Sequence, residues 1–191
     1  MDGIKEINAI SYASGKPVRI GISGGLIHDI SETGKSAVLK DLFVAPGLFD
    51  NQVNGFRGTD FSDTELKTDE MRKAVAALNS EGVTSFFPTV LTNSHVNLLK
   101  IFRNLASSLS DETVRDSVPG FHLEGPYISP EVGFYGCHPP SFIRKPSWEE
   151  FALYQEAAGG NIRQVTISPE TAESLEFIKK CTSSGVVVAI G

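Results

Sequence analysis

The feature that most constrains the fold is the alternation of apolar, β-rich runs with amphipathic helices after Pro46. This alternation is typical of βα repeats and a parallel sheet. We expect strands near residues 48–51, 83–87, 118–123, 163–167 and 186–190. Parallel sheets place their binding loops at the carboxyl edge, so functional groups should lie where these strands end.

Four amphipathic helices are expected between these strands. Their apolar faces are formed by Met71, Val75 and Leu78; by Leu98, Phe102, Leu105 and Leu109; by Phe151 and Tyr154; and by Leu175, Ile178 and Cys181. Ser94 and Ser147 are candidate N-caps, and Glu150 follows Ser147 at capping-box spacing. Five βα-type strands fit either a doubly wound sheet or part of an eight-stranded barrel, and spacing alone does not separate the two.

The first 45 residues follow a different pattern. Apolar runs at residues 4–12, 17–22, 26–30 and 37–44 are separated by turns, among them Gly24-Gly25. This pattern predicts a small all-β unit, residues 1–45, ahead of the βα region, residues 46–191.

Composition narrows the class of protein. The 191 residues are 40% hydrophobic and 21% charged, which suits a globular chain with a real core. A formal net charge of -6 provides no basic field for nucleic acid or anionic lipid, so we expect neither partner. No signal peptide or membrane span is predicted. Cys137 and Cys181 lack zinc-site spacing and are interpreted as free thiols in a reducing cytoplasm.

Gln52 and Asn54 follow the first βα strand. In a strand of period two they point the same way, so both amides would face the mouth of a barrel. They are interpreted either as a pair that hydrogen-bonds to substrate or to metal-bound water, or as polar groups that hydrogen-bond to neighbouring loops.

Glu124 is the first candidate site residue. It follows an apolar run directly and precedes Gly125-Pro126, which places its carboxylate at a strand tip within reach of a metal or a reacting group. The alternative is a salt-bridged or capping carboxylate. His122, two residues earlier, would share its face and either orient the carboxylate or be a core histidine satisfied by a backbone carbonyl.

Residues 127–146 form a loop long enough to suggest a lid or binding segment. In it, His138 could donate to a substrate carbonyl, or be a solvated loop histidine. Arg144 could pair with an anionic group, or with an acidic neighbour such as Glu149. His28 and His95 are assigned no role.

Four segments carry a family resemblance: residues 45–55, Pro88-Thr89, the FHLEGP run at residues 121–126, and residues 136–146 with GCHPP at their start. In this order they resemble the N-acetylglucosamine-6-phosphate deacetylases of the amidohydrolase superfamily. The resemblance implies an α/β fold, a partial (β/α)8 TIM-type barrel preceded by a segment of a small N-terminal β-sandwich.

The resemblance also implies a site. Most amidohydrolases carry His-x-His at the first strand, whereas here the pair is Gln52 and Asn54, whose amide oxygens are poor ligands for zinc or iron. One divalent metal is therefore implied, zinc or iron, with manganese also compatible. By resemblance, Glu124 is its first protein ligand, two histidines on later strands complete it, and His138 binds the substrate near its acetamido carbonyl.

The implied reaction is metal-dependent deacetylation of N-acetylglucosamine 6-phosphate to glucosamine 6-phosphate and acetate, in the amino-sugar metabolism of the cytoplasm, by a homodimer. The family's proton-transferring aspartate would lie beyond Gly191, so no catalytic residue is assigned in this chain. Because a closed barrel takes about 250 residues, we expect a fragment that is inactive alone. The alternatives are another amidohydrolase, acting on a cyclic amide or an acylated amino acid, and a non-catalytic barrel fragment that serves as a binding partner.

Overall fold

The computed structural model describes residues 5–34 and 42–191. The chain divides into two units, Met1–Gly47 and Leu48–Gly191. The first unit contains one sheet, formed by the strands β1 Lys5–Ser11, β2 Pro17–Ser23, β3 Leu26–Glu32 and β4 Phe43–Val44. Their order is β3-β2-β1-β4; β1, β2 and β3 are antiparallel neighbours, and β4 runs parallel to β1.

The predicted strands near residues 4–12, 17–22 and 26–30 are confirmed as β1, β2 and β3. Of the run predicted at residues 37–44, only Phe43–Val44 is a strand, and residues 37–41 lie outside the described part of the chain. The described residues of this unit form one sheet, so the second sheet of a sandwich remains a prediction.

The second unit is built on a parallel half-barrel sheet of five strands in the order β11-β10-β9-β8-β5. The strands and one short hairpin are β5 Leu48–Val53, the hairpin strands β6 Gly55–Phe56 and β7 Thr59–Asp60, β8 Val83–Leu91, β9 Phe121–Glu124, β10 Ile162–Ile167 and β11 Val187–Ile190. All five predicted βα strands are confirmed, and the α/β class with them. The hairpin was not predicted.

Helices cover one face of this sheet: α1 Thr68–Ser80, α2 His95–Ser108, α3 Glu112–Ser117, α4 Trp148–Ala157 and α5 Ser174–Ser183. The predicted caps are confirmed, since Ser94 accepts from the Asn97 amide and Ser147 from the Glu150 amide, each at 3.2 Å. The prediction for Leu175 is wrong. It is 63% exposed, and Phe177 takes the buried position on α5.

The core between helices and sheet is aromatic and aliphatic, with Phe86, Phe102, Phe121, Phe151 and Leu123 all fully buried. Burying each such side chain contributes about 1.5–3 kcal/mol. β9 is the middle strand and is buried along its first three residues, so the residue at its end, Glu124, is carried on a buried central strand.

Candidate functional site

Glu124 is the last residue of β9, at the carboxyl edge of the sheet. Asn54, just after β5, donates from Nδ2 to Glu124 Oε2 over 2.8 Å. His138, in the loop after β9, has Nε2 at 3.9 Å from Glu124 Oε1. Within residues 42–191, Glu124 pairs with no lysine or arginine, and its Oε1 accepts no hydrogen bond. The carboxylate is therefore fixed on one oxygen and available on the other.

His138 is buried, with 8% of its surface exposed, and Thr92 Oγ1 lies 2.8 Å from its Nδ1. Burial lowers the pKa of His138, and the neighbouring Glu124 carboxylate raises it by less. The balance favours the neutral imidazole, which has one N–H to donate and one nitrogen to accept. The interpretation of His138 as a solvated loop histidine does not fit its burial.

The Gln52 side chain is exposed and makes no hydrogen bond within the described residues, while its backbone amide donates to Asp50 Oδ1 at 3.0 Å. The strand alternation that would align Gln52 with Asn54 is interrupted, because the pairing of β5 with β8 is irregular between Asp50 and Val53. The structure thus brings Asn54, Glu124 and His138 together and leaves the Gln52 side chain outside this group.

His122 lies two residues before Glu124 on β9 and is fully buried. Thr166 Oγ1 is 2.7 Å from its Nε2, Thr89 Oγ1 is 3.3 Å from its Nδ1, and the Gln164 amide nitrogen is 3.3 Å from both ring nitrogens. Burial lowers the pKa of His122 to about 4, against smaller opposing effects of Glu124 and a backbone hydrogen bond with Asn51. The core interpretation is thus the better one, although side chains provide most of its partners.

Arg144 is held by Glu150, not by Glu149. Its Nε lies 2.8 and 3.0 Å from the two Glu150 oxygens, and its Nη2 donates to Tyr154 Oη at 2.7 Å. Arg144 Nη1 donates to the carbonyl oxygens of Phe142 at 2.6 Å and Asn93 at 3.2 Å. These bonds attach the far end of the His138 loop to α4 and to the turn before α2.

Two tyrosines complete the cluster around Glu150. Tyr127 Oη donates to Glu150 Oε2 at 3.0 Å, and Tyr154 Oη lies 2.9 Å from His95 Nδ1. Burial and the Glu150 charge raise the pKa of both phenols, so both hydroxyls remain protonated hydrogen-bond donors. His95, for which the sequence suggested no role, therefore belongs to this structural network.

A cavity of about 690 Å³ lies beside the loop, lined in part by Ile128, Phe134, Ile143 and Glu170. Its size suits a small ligand. Neither Glu124 nor His138 lines it.

Metal binding needs more donors than the described residues bring together. No group of three or more His, Cys, Asp or Glu side chains in the described ranges could hold a metal ion. Zinc sites use three or four protein ligands, so Glu124 fits as one ligand and not as a complete site. Both cysteines are free, Cys137 exposed and Cys181 buried. No helix in the part that the structure describes is long and apolar enough to cross a bilayer.

Thr92 was missed by the sequence reasoning because the second βα strand was expected to end at residue 87. The apolar run in fact continues past Pro88, and β8 ends at Leu91. The continuation Val90-Leu91 was the available signal.

Comparison with known proteins gives a consistent result. No family model matches the chain. An N-acetylglucosamine-6-phosphate deacetylase of Bacillus subtilis (strain 168) is 29% identical over 182 residues, 90% of this chain and 45% of the relative. The human enzyme of that name is 35% identical over 154 residues, 78% of this chain and 36% of the relative. An N-acetylgalactosamine-6-phosphate deacetylase of Shewanella sp. (strain ANA-3) is 32% identical over 148 residues, 76% and 35% of the two chains.

A solved structure agrees with these relatives. It is an N-acetyl-D-glucosamine-6-phosphate deacetylase variant of Mycobacterium smegmatis in complex with N-acetyl-D-glucosamine-6-phosphate, with a TM-score of 0.86 and 26% identity over 100% of this chain and 50% of that one. The half-barrel sheet thus matches part of a deacetylase fold. The chain is a homologue of the N-acetylglucosamine-6-phosphate deacetylases and spans about half of their length or less.

Proposed function

We propose that this chain takes part in the deacetylation of N-acetylglucosamine 6-phosphate, which yields glucosamine 6-phosphate and acetate. The observation that carries the proposal is the group of Asn54, Glu124 and His138 at the carboxyl edge of the sheet. A carboxylate with a free oxygen, beside a neutral histidine, suits the binding of a cation and an amide carbonyl. The names of the relatives support the substrate class.

We further propose Glu124 as one ligand of a single divalent cation, zinc or iron, with manganese as a third candidate. Its free Oε1 is the ligand atom, while the Asn54 amide holds Oε2 and fixes the plane of the carboxylate. A divalent cation at this position supplies a Lewis acid that polarises the amide carbonyl. The remaining ligands and the proton-transferring aspartate are assigned to the part of the relatives' length that this chain does not span.

His138 is proposed as the donor to the acetamido carbonyl of the substrate. Its Nε2 is the ring atom that faces Glu124, so a donor and a cation ligand lie on the same side of the site. Asn54 contributes by orienting Glu124. Gln52 is exposed, and contact of its side chain with substrate stays a prediction.

A homodimer in the cytoplasm, with a small amino-sugar phosphate as substrate, is proposed from the resemblance alone. Equilibrium sedimentation of the purified protein would test the dimer, and a monomer at micromolar concentration would contradict it.

Acetate release tests the proposed reaction. The protein, expressed from its complete gene and freed of metal, is assayed with zinc, iron or manganese on N-acetylglucosamine 6-phosphate, its galactosamine epimer, unphosphorylated N-acetylglucosamine, a cyclic amide and an acylated amino acid. We expect metal-dependent release, fastest from N-acetylglucosamine 6-phosphate. The epimer is included because one relative carries its name.

Two results would count against the proposal. A folded protein that releases no acetate with any of the three metals contradicts the activity. Faster cleavage of the cyclic amide or the acylated amino acid would support the other amidohydrolase. For the 191-residue chain alone we expect no turnover, because its described residues hold no metal-binding group of three side chains.

A further inference from the structure

Thr92 connects the strand edge to the ring of His138. It follows β8 directly, is 3% exposed, and its Oγ1 lies 2.8 Å from His138 Nδ1. The same oxygen lies 3.5 Å from the backbone oxygen of Glu124, at the limit for a hydrogen bond. The 2.8 Å contact forms either with the hydroxyl donating to Nδ1 or with an Nδ1–H donating to the hydroxyl, and only the first direction leaves the hydrogen of a neutral ring on Nε2.

The surroundings of the second ring nitrogen favour the same arrangement. His138 Nε2 faces Glu124 Oε1 at 3.9 Å. An Nε2 that carries hydrogen is attracted to this carboxylate, whereas an Nε2 lone pair would be repelled by it. The negative charge of Glu124 therefore favours the neutral ring with hydrogen on Nε2, and in this ring Nδ1 accepts the hydrogen bond from the Thr92 hydroxyl.

We propose that Thr92 is a positioning residue that fixes His138 in the tautomer with hydrogen on Nε2, so that the ring presents a donor beside Glu124. The inference deepens the proposed function, because the acceptor it assigns to that donor is the acetamido carbonyl of the substrate. Thr92 itself touches neither substrate nor cation. It acts through the ring of His138.

Gly125 gives Thr92 the space that this role requires. The residue has φ +86°, and a Cβ at this position would overlap Thr92 Oγ1 and lie 3.2 Å from Ile128 Cγ1. A glycine after Glu124 thus does two things, since it permits the left-handed backbone and lets the Thr92 hydroxyl pass between β9 and the His138 loop. Replacement of either residue should disturb the same ring.

The test is the protonation of His138, read by long-range proton–nitrogen NMR on the 15N-histidine-labelled, metal-free 191-residue chain near pH 7.5. The four histidines give a simple spectrum, and His138→Gln assigns the signal of interest. We expect the wild-type ring to carry hydrogen on Nε2. In Thr92→Val, which keeps the shape but removes the donor, we expect a mixture of the two tautomers.

Three further variants make the test specific. Thr92→Ser keeps the hydroxyl and should restore the wild-type pattern, while Gly125→Ala should shift His138 as Thr92→Val does. Thr89→Val is the matched control, since Thr89 is buried like Thr92 but lies within β8 and contacts His122. It should change the signal of His122 and leave that of His138 unchanged. A His138 ring with hydrogen on Nδ1, or an unchanged ring in folded Thr92→Val, overturns the inference.

A kinetic arm separates this inference from the proposed function. In the protein expressed from its complete gene, Thr92→Val should lower kcat about tenfold with little change in KM, the size expected when one hydrogen bond is lost from a group that acts in the transition state. Thr92→Ser should recover most of that rate. If wild-type protein releases no acetate, the proposed function fails while the NMR result still decides whether Thr92 sets the tautomer. If kcat in folded Thr92→Val equals that of wild type, the positioning role is overturned.

Discussion

Two glutamates of the second unit (the βα unit, Leu48–Gly191), Glu124 and Glu150, differ in the number and charge of their hydrogen-bond partners. Glu150 is bonded through both oxygens to Arg144 and accepts from Tyr127, with His95 Nδ1 at 3.3 Å. Glu124 is bonded through one oxygen to the Asn54 amide. Their side chains are similarly buried, at 18% and 17% exposed, so burial does not distinguish them.

The difference lies in the charge of their partners. The Arg144 guanidinium neutralises the charge of Glu150, and together with the tyrosine hydroxyls it occupies the lone pairs of the Glu150 carboxylate. Glu150 is therefore a structural group. An amide leaves the charge of Glu124 uncompensated and one oxygen free, which costs stability unless a cation binds there. A carboxylate of this second kind is the better candidate for a metal ligand. Each of the following variants is chosen to strengthen or remove this contrast.

The largest effect is expected from Glu124→Gln. This change removes the proposed ligand and should lower metal-dependent acetate release at least about a hundredfold, since loss of groups that merely support a metal ligand already costs 10–100-fold. The free energy of unfolding of the metal-free chain should not fall, because the change removes an uncompensated charge from a partly buried position. Glu150→Gln is the comparison, and it should lower stability instead. Equal activity in Glu124→Gln and wild type would remove the contrast.

Arg144→Met should destabilise the βα unit by about 3 kcal/mol, the low end for a broken buried pair because both partners are partly exposed. Urea unfolding followed by the fluorescence of Trp148, the single tryptophan, measures it. The neighbouring Lys145, whose pair with Glu173 is exposed, is the matched control. Lys145→Met should change stability by less than about 1 kcal/mol. Equal effects of the two changes would show that the Arg144 cluster is an ordinary surface feature.

The smallest expected effect concerns the pH dependence of His122. The folded state holds the pKa of this histidine at about 4, below the usual 6.5, so the unfolded chain takes up the proton first. Stability is therefore complete above pH 6.5 and falls as the pH drops towards 4. Between pH 6.5 and 5 the loss should be about 2 kcal/mol, from 1.36 kcal/mol per pKa unit.

His122→Gln removes this titration and should flatten the pH profile of the unfolding free energy, although it lowers stability at pH 7. Parallel profiles for His122→Gln and wild type would show that the imidazole is as easily protonated in the folded state as in the unfolded chain.

Much of the βα unit could be predicted from periodicity, because its strands and helices are bounded by clear turn and cap residues. The end of β8 was predicted too early, at residue 87, although Val90-Leu91 continues the apolar run. Pro88 lacks an N–H, and a proline argues against a central strand. Here it lies beside the irregular stretch of the β5–β8 pairing, and the ladder with β9 starts one residue later, at Thr89. The missing donor therefore leaves the remaining ladder intact.

The helix α3 and the hairpin β6–β7 were not predicted because both elements are short. Six residues, Glu112–Ser117, are too few to show helical periodicity, although Asp111 caps them by accepting from the Val114 amide. At the site, Glu124 and His138 could be proposed from sequence because each lies in a distinctive motif. Their contact with Asn54 and Thr92 depends on strand register, which the sequence pattern does not contain.

The fit of the Thr92 hydroxyl against Gly125 ties the tolerated substitutions at these two positions to one another. A methyl group at position 125 is harmful partly because an oxygen occupies its place, so Thr92→Ala should relieve part of the cost of Gly125→Ala, leaving the cost of the left-handed backbone. The double variant should then be more stable than the sum of the single changes predicts. In related sequences, we expect a residue other than glycine at position 125 only where the side chain at position 92 is unbranched.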